Sequence, residues 1–162
     1  MSNRLIAIVA VVVLAAGAAF VLVLRDGLSA DRPPGRLETI AARQLVRLSI
    51  PLAQREVRNP YSDQPDSWRA GAARFTTACS SCHGSDGRGH TTAGAAMYPP
   101  VPDLGDDAVQ DLSDGALFAI IQHGIRWTGM PAFGRVQPAE TTWQLVSYIR
   151  HVGVRDVARS HP

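Results

Sequence analysis

Both cysteines of this chain lie in one pentapeptide, Cys79-Ser80-Ser81-Cys82-His83. Two cysteines separated by two residues serve three kinds of chemistry: a redox disulfide, a metal site and the covalent attachment of haem. These chemistries differ in what must stand next to the pair and in which other residues the chain must supply. The surrounding sequence can therefore distinguish among them.

The segment before the cysteine pair predicts a helix. Asp66 or Ser67 is a good N-cap residue, and the apolar residues from Trp68 to Cys79 recur on one helical face. The pair therefore comes at the end of a helix. A thioredoxin-like disulfide requires its pair at a helix N-terminus beside a β-α-β pattern, where the helix dipole lowers the thiol pKa. No segment shows sustained strand alternation, so the sequence disfavours a redox disulfide.

A structural zinc site needs four ligands, which usually come as two pairs at set spacing. Apart from the cysteines, the candidate ligands are five histidines scattered along the chain without a second pair: His83, His90, His123, His151 and His161. This spacing disfavours zinc.

Haem attachment fits the pentapeptide best. Two thiols can bind the vinyl groups of one porphyrin, and the histidine that follows can bind the iron. Met130 is the predicted ligand on the opposite side, because it stands in a loop between a glycine and a proline, and His/Met ligation is a recognised mode. Met97 is the alternative, or it fills a gap against the haem edge. His90 and His123 could ligate in principle, although His123 better suits the end of a helix.

Residues 5–24 form a run without charges, bounded by Arg4 and Arg25. As a helix this run spans about 30 Å, the thickness of the hydrocarbon core of a bilayer. The apolar region of a cleaved secretory signal is shorter, about 7–15 residues. The length favours an uncleaved membrane anchor, while the small residues at 15–19 and 28–30 leave cleavage open.

The orientation of this anchor follows from two opposing signals. Counting arginines on its two sides places the rest of the chain in the cytoplasm. Haem attachment instead requires export, and the charge rule weakens for long translocated domains. We therefore expect a single-pass protein of the bacterial inner membrane, with its haem domain in the periplasm.

Three regions are expected along the chain: an anchor at 1–26, a linker at 27–65 and a haem domain at 66–162. Within the linker, residues 37–48 predict a short amphipathic helix, and residues 49–65 predict a proline-bearing extended wrap. The short helix either lies near lipid headgroups or packs on the domain as a spacer, and the second interpretation is favoured. In the haem domain, residues 84–105 predict a loop.

Two further helices are expected in the haem domain. One begins after Ser113 and ends at His123, where Gly124 suits the position after a helix. The other begins at Pro138 and stops at Gly153.

The motifs C-S-S-C-H-G, P-D-L, G-M-P and W-x-L-V-x-Y-I, in this order, resemble those of class I monohaem cytochromes c of the membrane-anchored bacterial type. The resemblance covers about residues 66–153. It implies an all-α fold of three to five short helices around one covalent haem c, preceded here by the single transmembrane helix. Cys79 and Cys82 would form the thioethers, His83 would be the proximal ligand, and Met130 the distal one.

The resemblance also assigns supporting residues. The Pro102 carbonyl would accept a hydrogen bond from the proximal imidazole, and Leu104 would pack against the porphyrin. Arg126 and Trp127 would pair with the haem propionates, with a solvated charge and core packing as their respective alternatives. Gly71 and Phe75 would cross the last helix near residues 145–148.

The function expected from these ligands is single-electron transfer between respiratory or periplasmic redox proteins. The alternative is a haem-bearing subunit of a membrane dehydrogenase or oxidase whose catalysis lies in another chain. A haem enzyme or gas sensor with a labile Met130 is the third hypothesis. The formal net charge of +2 is too small to indicate nucleic acid, and the absence of lysine puts docking through a lysine patch in doubt.

Overall fold

The computed structural model describes residues 3–26 and 30–160, apart from the side chains of residues 23, 26 and 154–160. The described residues form nine α-helices and one 3-10 helix, and they contain no strand. The predicted all-α class is confirmed. The chain divides into two compact units, Met1–Arg32 and Pro33–Pro162.

The first unit contains one long helix, α1 (Asn3–Asp26). Its stretch Asn3–Leu22 is long and apolar enough to cross a membrane, and none of that stretch is buried. At 1.5 Å per residue the 24-residue helix is about 36 Å long. The helix predicted at 5–24 is therefore confirmed, although a signal sequence can have the same properties.

The second unit begins with α2 (Arg36–Ser49) and the single turn α3 (Leu52–Arg55). The helix predicted at 37–48 is confirmed. The expectation of an extended wrap at 49–65 is wrong in part, because the Pro51 carbonyl accepts hydrogen bonds from the amides of Gln54 and Arg55 and so starts a helical turn.

Helix α4 (Ser67–Ala78) crosses the last helix, α9 (Ala139–Ser160), at the centre of the second unit. A methyl group added to Gly71 would lie 2.6 Å from the backbone carbonyl carbon of Gln144, so the two backbones pass closely. The rings of Phe75 and Tyr148 lie 4.8 Å apart at the same crossing. The predicted crossing of these helices is confirmed.

The remaining elements connect these two helices. They are α5 (Ser80–His83), α6 (Thr92–Ala95), α7 (Asp107–Gln110), α8 (Asp114–His123) and a 3-10 helix at Phe133–Arg135. Helix α8 begins where predicted, because the Ser113 hydroxyl accepts a hydrogen bond from the Ala116 amide at 3.2 Å. The segment expected to be a loop contains α6, whose first turn is capped by the Thr91 hydroxyl.

The predicted stop of the last helix at Gly153 is wrong, since α9 continues to Ser160. The Gln110 side chain lies over the helix at this glycine, where an added methyl group would be 2.6 Å from Oε1. The Gln110 amide donates to the carbonyls of Ile149 at 3.1 Å and Leu104 at 2.6 Å. Gly153 therefore provides space for a side chain from another element, and its cost inside a helix is only about 1 kcal/mol.

The hydrophobic core of the second unit is formed mainly by α4, α8 and α9. We call it the main core cluster, with the buried residues Phe75, Leu104, Val109, Leu117, Ile121, Trp143, Leu145, Val146, Tyr148, Ile149 and Val152. The segment before α4 is fixed to it by the buried Asn59, whose amide donates to the Trp143 carbonyl at 3.1 Å and to the Ser147 hydroxyl at 2.9 Å. This core holds the parts of the chain that carry the predicted site.

Candidate functional site

The cysteine pair lies on a helical turn that follows α4 directly. The amides of Cys82 and His83 both donate to the Cys79 carbonyl, at 3.1 and 2.9 Å. Residues three apart on a helical turn share a side, so this turn directs the two thiols to a common region. Both cysteines are free thiols and half-buried. The arrangement suits two covalent bonds to one group.

The electrostatics of Cys79 differ from those of a redox cysteine. Burial raises the pKa of its thiol to about 11, an effect that the nearby Arg74 charge opposes and Cys82 slightly reinforces. A catalytic redox cysteine needs a lowered pKa, because the thiolate is its reactive form. The structure thus supports the sequence argument against a thioredoxin-like site.

His83 is half-buried, and its Nδ1 atom is buried without a hydrogen-bond partner. Burial lowers the pKa of the imidazole, while the neighbouring Pro102 carbonyl raises it. The Pro102 carbonyl thus lies near the imidazole, although Nδ1 has no hydrogen-bond partner. The lowered pKa favours the neutral imidazole, which is the form that binds iron.

The loop after the cysteine turn brings Pro102 and Leu104 back towards His83. The Gly89 amide donates to the His83 carbonyl at 2.7 Å, and the Leu104 amide donates to the Gly87 carbonyl at 2.8 Å. Both glycines have positive φ, of 72° and 82°, a conformation that only glycine adopts without strain. Leu104 is buried in the main core cluster.

Met130 lies in a loop that is fixed by its own hydrogen bonds. The Ile125 amide donates to the Met130 carbonyl at 3.2 Å, and the Met130 amide donates to the Thr128 hydroxyl at 3.1 Å. That hydroxyl in turn donates to the Ile125 carbonyl at 2.8 Å. Met130 is half-buried and packs against the main core cluster, as Cys79 does. The fold therefore brings Cys79, Leu104 and Met130 to one cluster from three separate segments.

Met97, the alternative ligand, lies next to the same loop. A methyl group added to Gly129 would lie 3.1 Å from Cγ and 3.2 Å from Cε of Met97. Both methionines are half-buried, so their burial does not distinguish them. His90 and His123 are exposed and lie outside the main core cluster.

Arg126 and Trp127 lie away from this cluster. Trp127 is 91% exposed and has a positive φ of 62°, which is unusual for a bulky residue, so the alternative of core packing is wrong. Arg126 is exposed and lines a cavity of about 220 Å³ together with residues of α2 and α8 such as Val46 and Ile120. Their pairing with haem propionates stays a prediction.

A chain of buried and half-buried polar side chains joins four segments of the second unit, and sequence analysis missed it. Arg74 Nε donates to Gln137 Oε1 at 2.9 Å, and Gln137 Nε2 donates to the Thr142 hydroxyl at 2.9 Å. Gln122 Nε2 donates to the same hydroxyl at 3.1 Å. These bonds join α4, α8 and α9 to the segment that follows Met130. Apart from Gln137 and Thr142, the bonded residues are 20 or 63 positions apart, so no local signal could have identified the chain.

The residues at the site suit a covalently held haem. Two free thiols stand on one turn, followed by a half-buried imidazole whose Nδ1 atom has no partner. A thioether packs against the same cluster as the first thiol. These are the ligand types by which c-type cytochromes hold haem.

The chain matches a known protein family and is similar to solved structures. The family model described as cytochrome c oxidase, cbb3-type, subunit III matches residues 66–149. Cytochrome cL from the marine methylotrophic bacterium Methylophaga aminisulfidivorans is similar at 19% identity and a TM-score of 0.46, over 77% of this chain and 71% of that one. No curated protein matches.

The matched residues contain the cysteine turn, the Pro102–Leu104 segment and Met130, and they make up more than half of the chain. The resemblance found in the sequence is therefore confirmed. The chain is a c-type cytochrome and belongs to the family described as cbb3-type cytochrome c oxidase subunit III, which implies covalently bound haem c.

Proposed function

We propose that this protein is a membrane-tethered monohaem cytochrome c that carries single electrons between redox proteins of the respiratory chain or the periplasm. One observation carries the proposal: Cys79 of the Cys-x-x-Cys-His turn and Met130, far along the chain, pack against the same core cluster. The chain contains one such motif, since it has only two cysteines. The presence of one motif supports a single haem.

Each residue of the site has a distinct task in this proposal. Cys79 and Cys82 would hold the haem through thioether bonds, and His83 and Met130 would bind its iron. Haem, when bound, supplies one-electron exchange between ferric and ferrous iron. The Pro102 carbonyl, which lies near the His83 imidazole, is suited to fix the orientation of the ring.

Transfer of electrons, rather than catalysis on a substrate, follows from the filled ligand positions. An imidazole and a thioether together leave no iron position open for oxygen or a peroxide. The thioether ligand also raises the reduction potential relative to stronger donors. The protein is therefore proposed as a carrier and not as an enzyme by itself.

The membrane tether in this proposal is α1. Its length and apolar surface suit a span of the inner membrane, and haem attachment requires the second unit to be exported to the periplasm. A tethered carrier stays near its membrane partners, which raises its effective concentration for them. Arg126 and Trp127 remain proposed partners of the haem propionates.

The second candidate function is a haem-bearing subunit of a membrane oxidase or dehydrogenase. The description of the matched family, a subunit of a cytochrome c oxidase, favours it. Purification from native membranes under mild conditions separates the two functions. Stoichiometric partner chains would support the subunit, and a protein that purifies alone would support the mobile carrier.

The test of electron transfer uses the full chain, matured with haem in bacterial membranes. We expect an added mass of one porphyrin, reversible one-electron reduction and no binding of carbon monoxide by the reduced protein at neutral pH. A chain without added porphyrin mass would contradict the proposed function. Binding of carbon monoxide would instead support an enzyme or gas sensor with an open iron position.

A further inference from the structure

Helix α2 exposes its apolar side chains to solvent. None of its residues is buried. The other long helices of the second unit, α4, α8 and α9, each bury residues in the core. We define the apolar stripe of α2 as its four large residues and give their exposed fractions: Leu37 83%, Ile40 58%, Leu45 67% and Leu48 73%.

The apolar stripe lies on the side of α2 that faces away from the rest of the second unit. At 100° per residue the four side chains fall within an arc of about 140°. Val46 and Thr39, the half-buried residues of α2, fall on the opposite side of the helix. Glu38, about 20° from Leu45 at the edge of the stripe, accepts a hydrogen bond from the Tyr98 hydroxyl. The helix thus rests on its domain through its less apolar side.

Three arginines follow one edge of the apolar stripe: Arg36, Arg43 and Arg47. They lie within an arc of about 40° and are all exposed. An arginine next to an apolar surface can lay its carbon chain along that surface and place its guanidinium at phosphate groups. An apolar stripe edged by arginines is typical of helices that lie in the interface of a membrane.

The position of α2 in the chain keeps it close to the proposed membrane span. Helix α1 ends at Asp26 and α2 begins at Arg36. An extended chain advances at most about 3.6 Å per residue, so the ten steps between these residues span at most about 36 Å. If α1 crosses the bilayer, α2 is thus confined to the neighbourhood of the membrane surface.

We propose that α2 lies in the interface of the bilayer that α1 crosses, with the apolar stripe at the acyl chains and the arginines at lipid phosphates. This inference rests on the membrane tether of the proposed function. In this position, α2 holds the haem domain at a fixed height above the membrane. A second copy of the chain fits the face less well, because α2 carries three arginines and one carboxylate, so two copies would bring like charges together.

The test places a nitroxide spin label on α2 of the full-length holoprotein in nanodiscs with anionic lipids, at one copy per disc. Leu37→Cys puts the label on the apolar stripe. Ala42→Cys, at an exposed position about 140° away around the helix, is the matched control. We expect the label at position 37 to be accessible to oxygen and shielded from a water-soluble nickel complex, and the label at position 42 to show the reverse.

Three results would overturn the proposal. Equal access of nickel to both labels would show that α2 lies in water. Shielding of position 37 from both oxygen and nickel, with spin–spin broadening at higher copy number, would show a second copy on the stripe. Protein that stays outside the nanodiscs would overturn the tether together with this inference. The haem spectrum and its reduction, recorded on the same samples, report electron transfer separately.

A charge variant tests the arginine edge. Arg43→Glu combined with Arg47→Glu should move the label at position 37 towards water in anionic nanodiscs, because the glutamates are repelled by the lipid phosphates. Arg58→Glu, at an exposed arginine outside α2, is the control and should leave the label in place. An unchanged label in the double variant would contradict the role of the arginines.

Discussion

The backbone of Met130 is fixed in its loop by hydrogen bonds to the Ile125 amide and the Thr128 hydroxyl. Replacing Met130 with alanine removes the thioether and leaves these bonds available. Met130→Ala should abolish the weak near-infrared sulfur–iron absorption band. It should also lower the reduction potential by on the order of 0.1 V, within the range of about 0.8 V that axial ligands cover. Near-infrared absorption and a redox titration measure the two effects.

Met97 provides the matched control for this prediction, since it lies beside Gly129 in the same region. Met97→Leu keeps the size of the side chain and removes its sulfur, so the band and the potential should change little. Persistence of the band in Met130→Ala and its loss in Met97→Leu would show that Met97 is the ligand.

At the scale of elements, the close crossing of α4 and α9 depends on the absence of a side chain at Gly71. A methyl group on Gly71 would lie 2.6 Å from the Gln144 carbonyl carbon and 3.0 Å from Cβ of Tyr148. Gly71→Ala must therefore push the helices apart, and overpacking of this kind costs about 1–3 kcal/mol in the free energy of unfolding. Chemical denaturation of the holoprotein, followed by circular dichroism, measures the loss.

Gly35→Ala is the control for the helix crossing, because nothing lies within 4 Å of the position that its added methyl group would take. It should lower the free energy of unfolding by less, about 1 kcal/mol at most, because its effect is confined to the N-cap of α2. Equal stability of the two variants would mean that α4 and α9 do not approach as closely as the structure has them.

At the scale of the whole molecule, the predictable features were those with local causes. Ser113 caps α8 through its own hydroxyl, and the residues of the cysteine turn are adjacent in sequence, so both could be inferred from short segments. From its neighbours in sequence alone, Gly153 predicts the end of a helix. In the structure it instead leaves space for the Gln110 side chain, which lies over α9. The hydrogen bond between Arg74 and Gln137 is also a long-range contact, since it joins residues 63 positions apart. Long-range contacts of this kind determine the structural features that local sequence patterns do not predict.

The second unit has few aromatic residues of its own, as the chain is only 6% aromatic. Cys79 and Met130 pack against a core that the haem is expected to complete. Replacing both cysteines with serine should therefore prevent covalent attachment and leave Pro33–Pro162 unfolded. Limited proteolysis of the full chain should then degrade this unit quickly, while the wild-type holoprotein resists. Ser81→Ala, which changes an exposed residue between the two thiols, should retain both haem and resistance. A double variant that stays helical and resistant would show that the polypeptide forms its core without the haem.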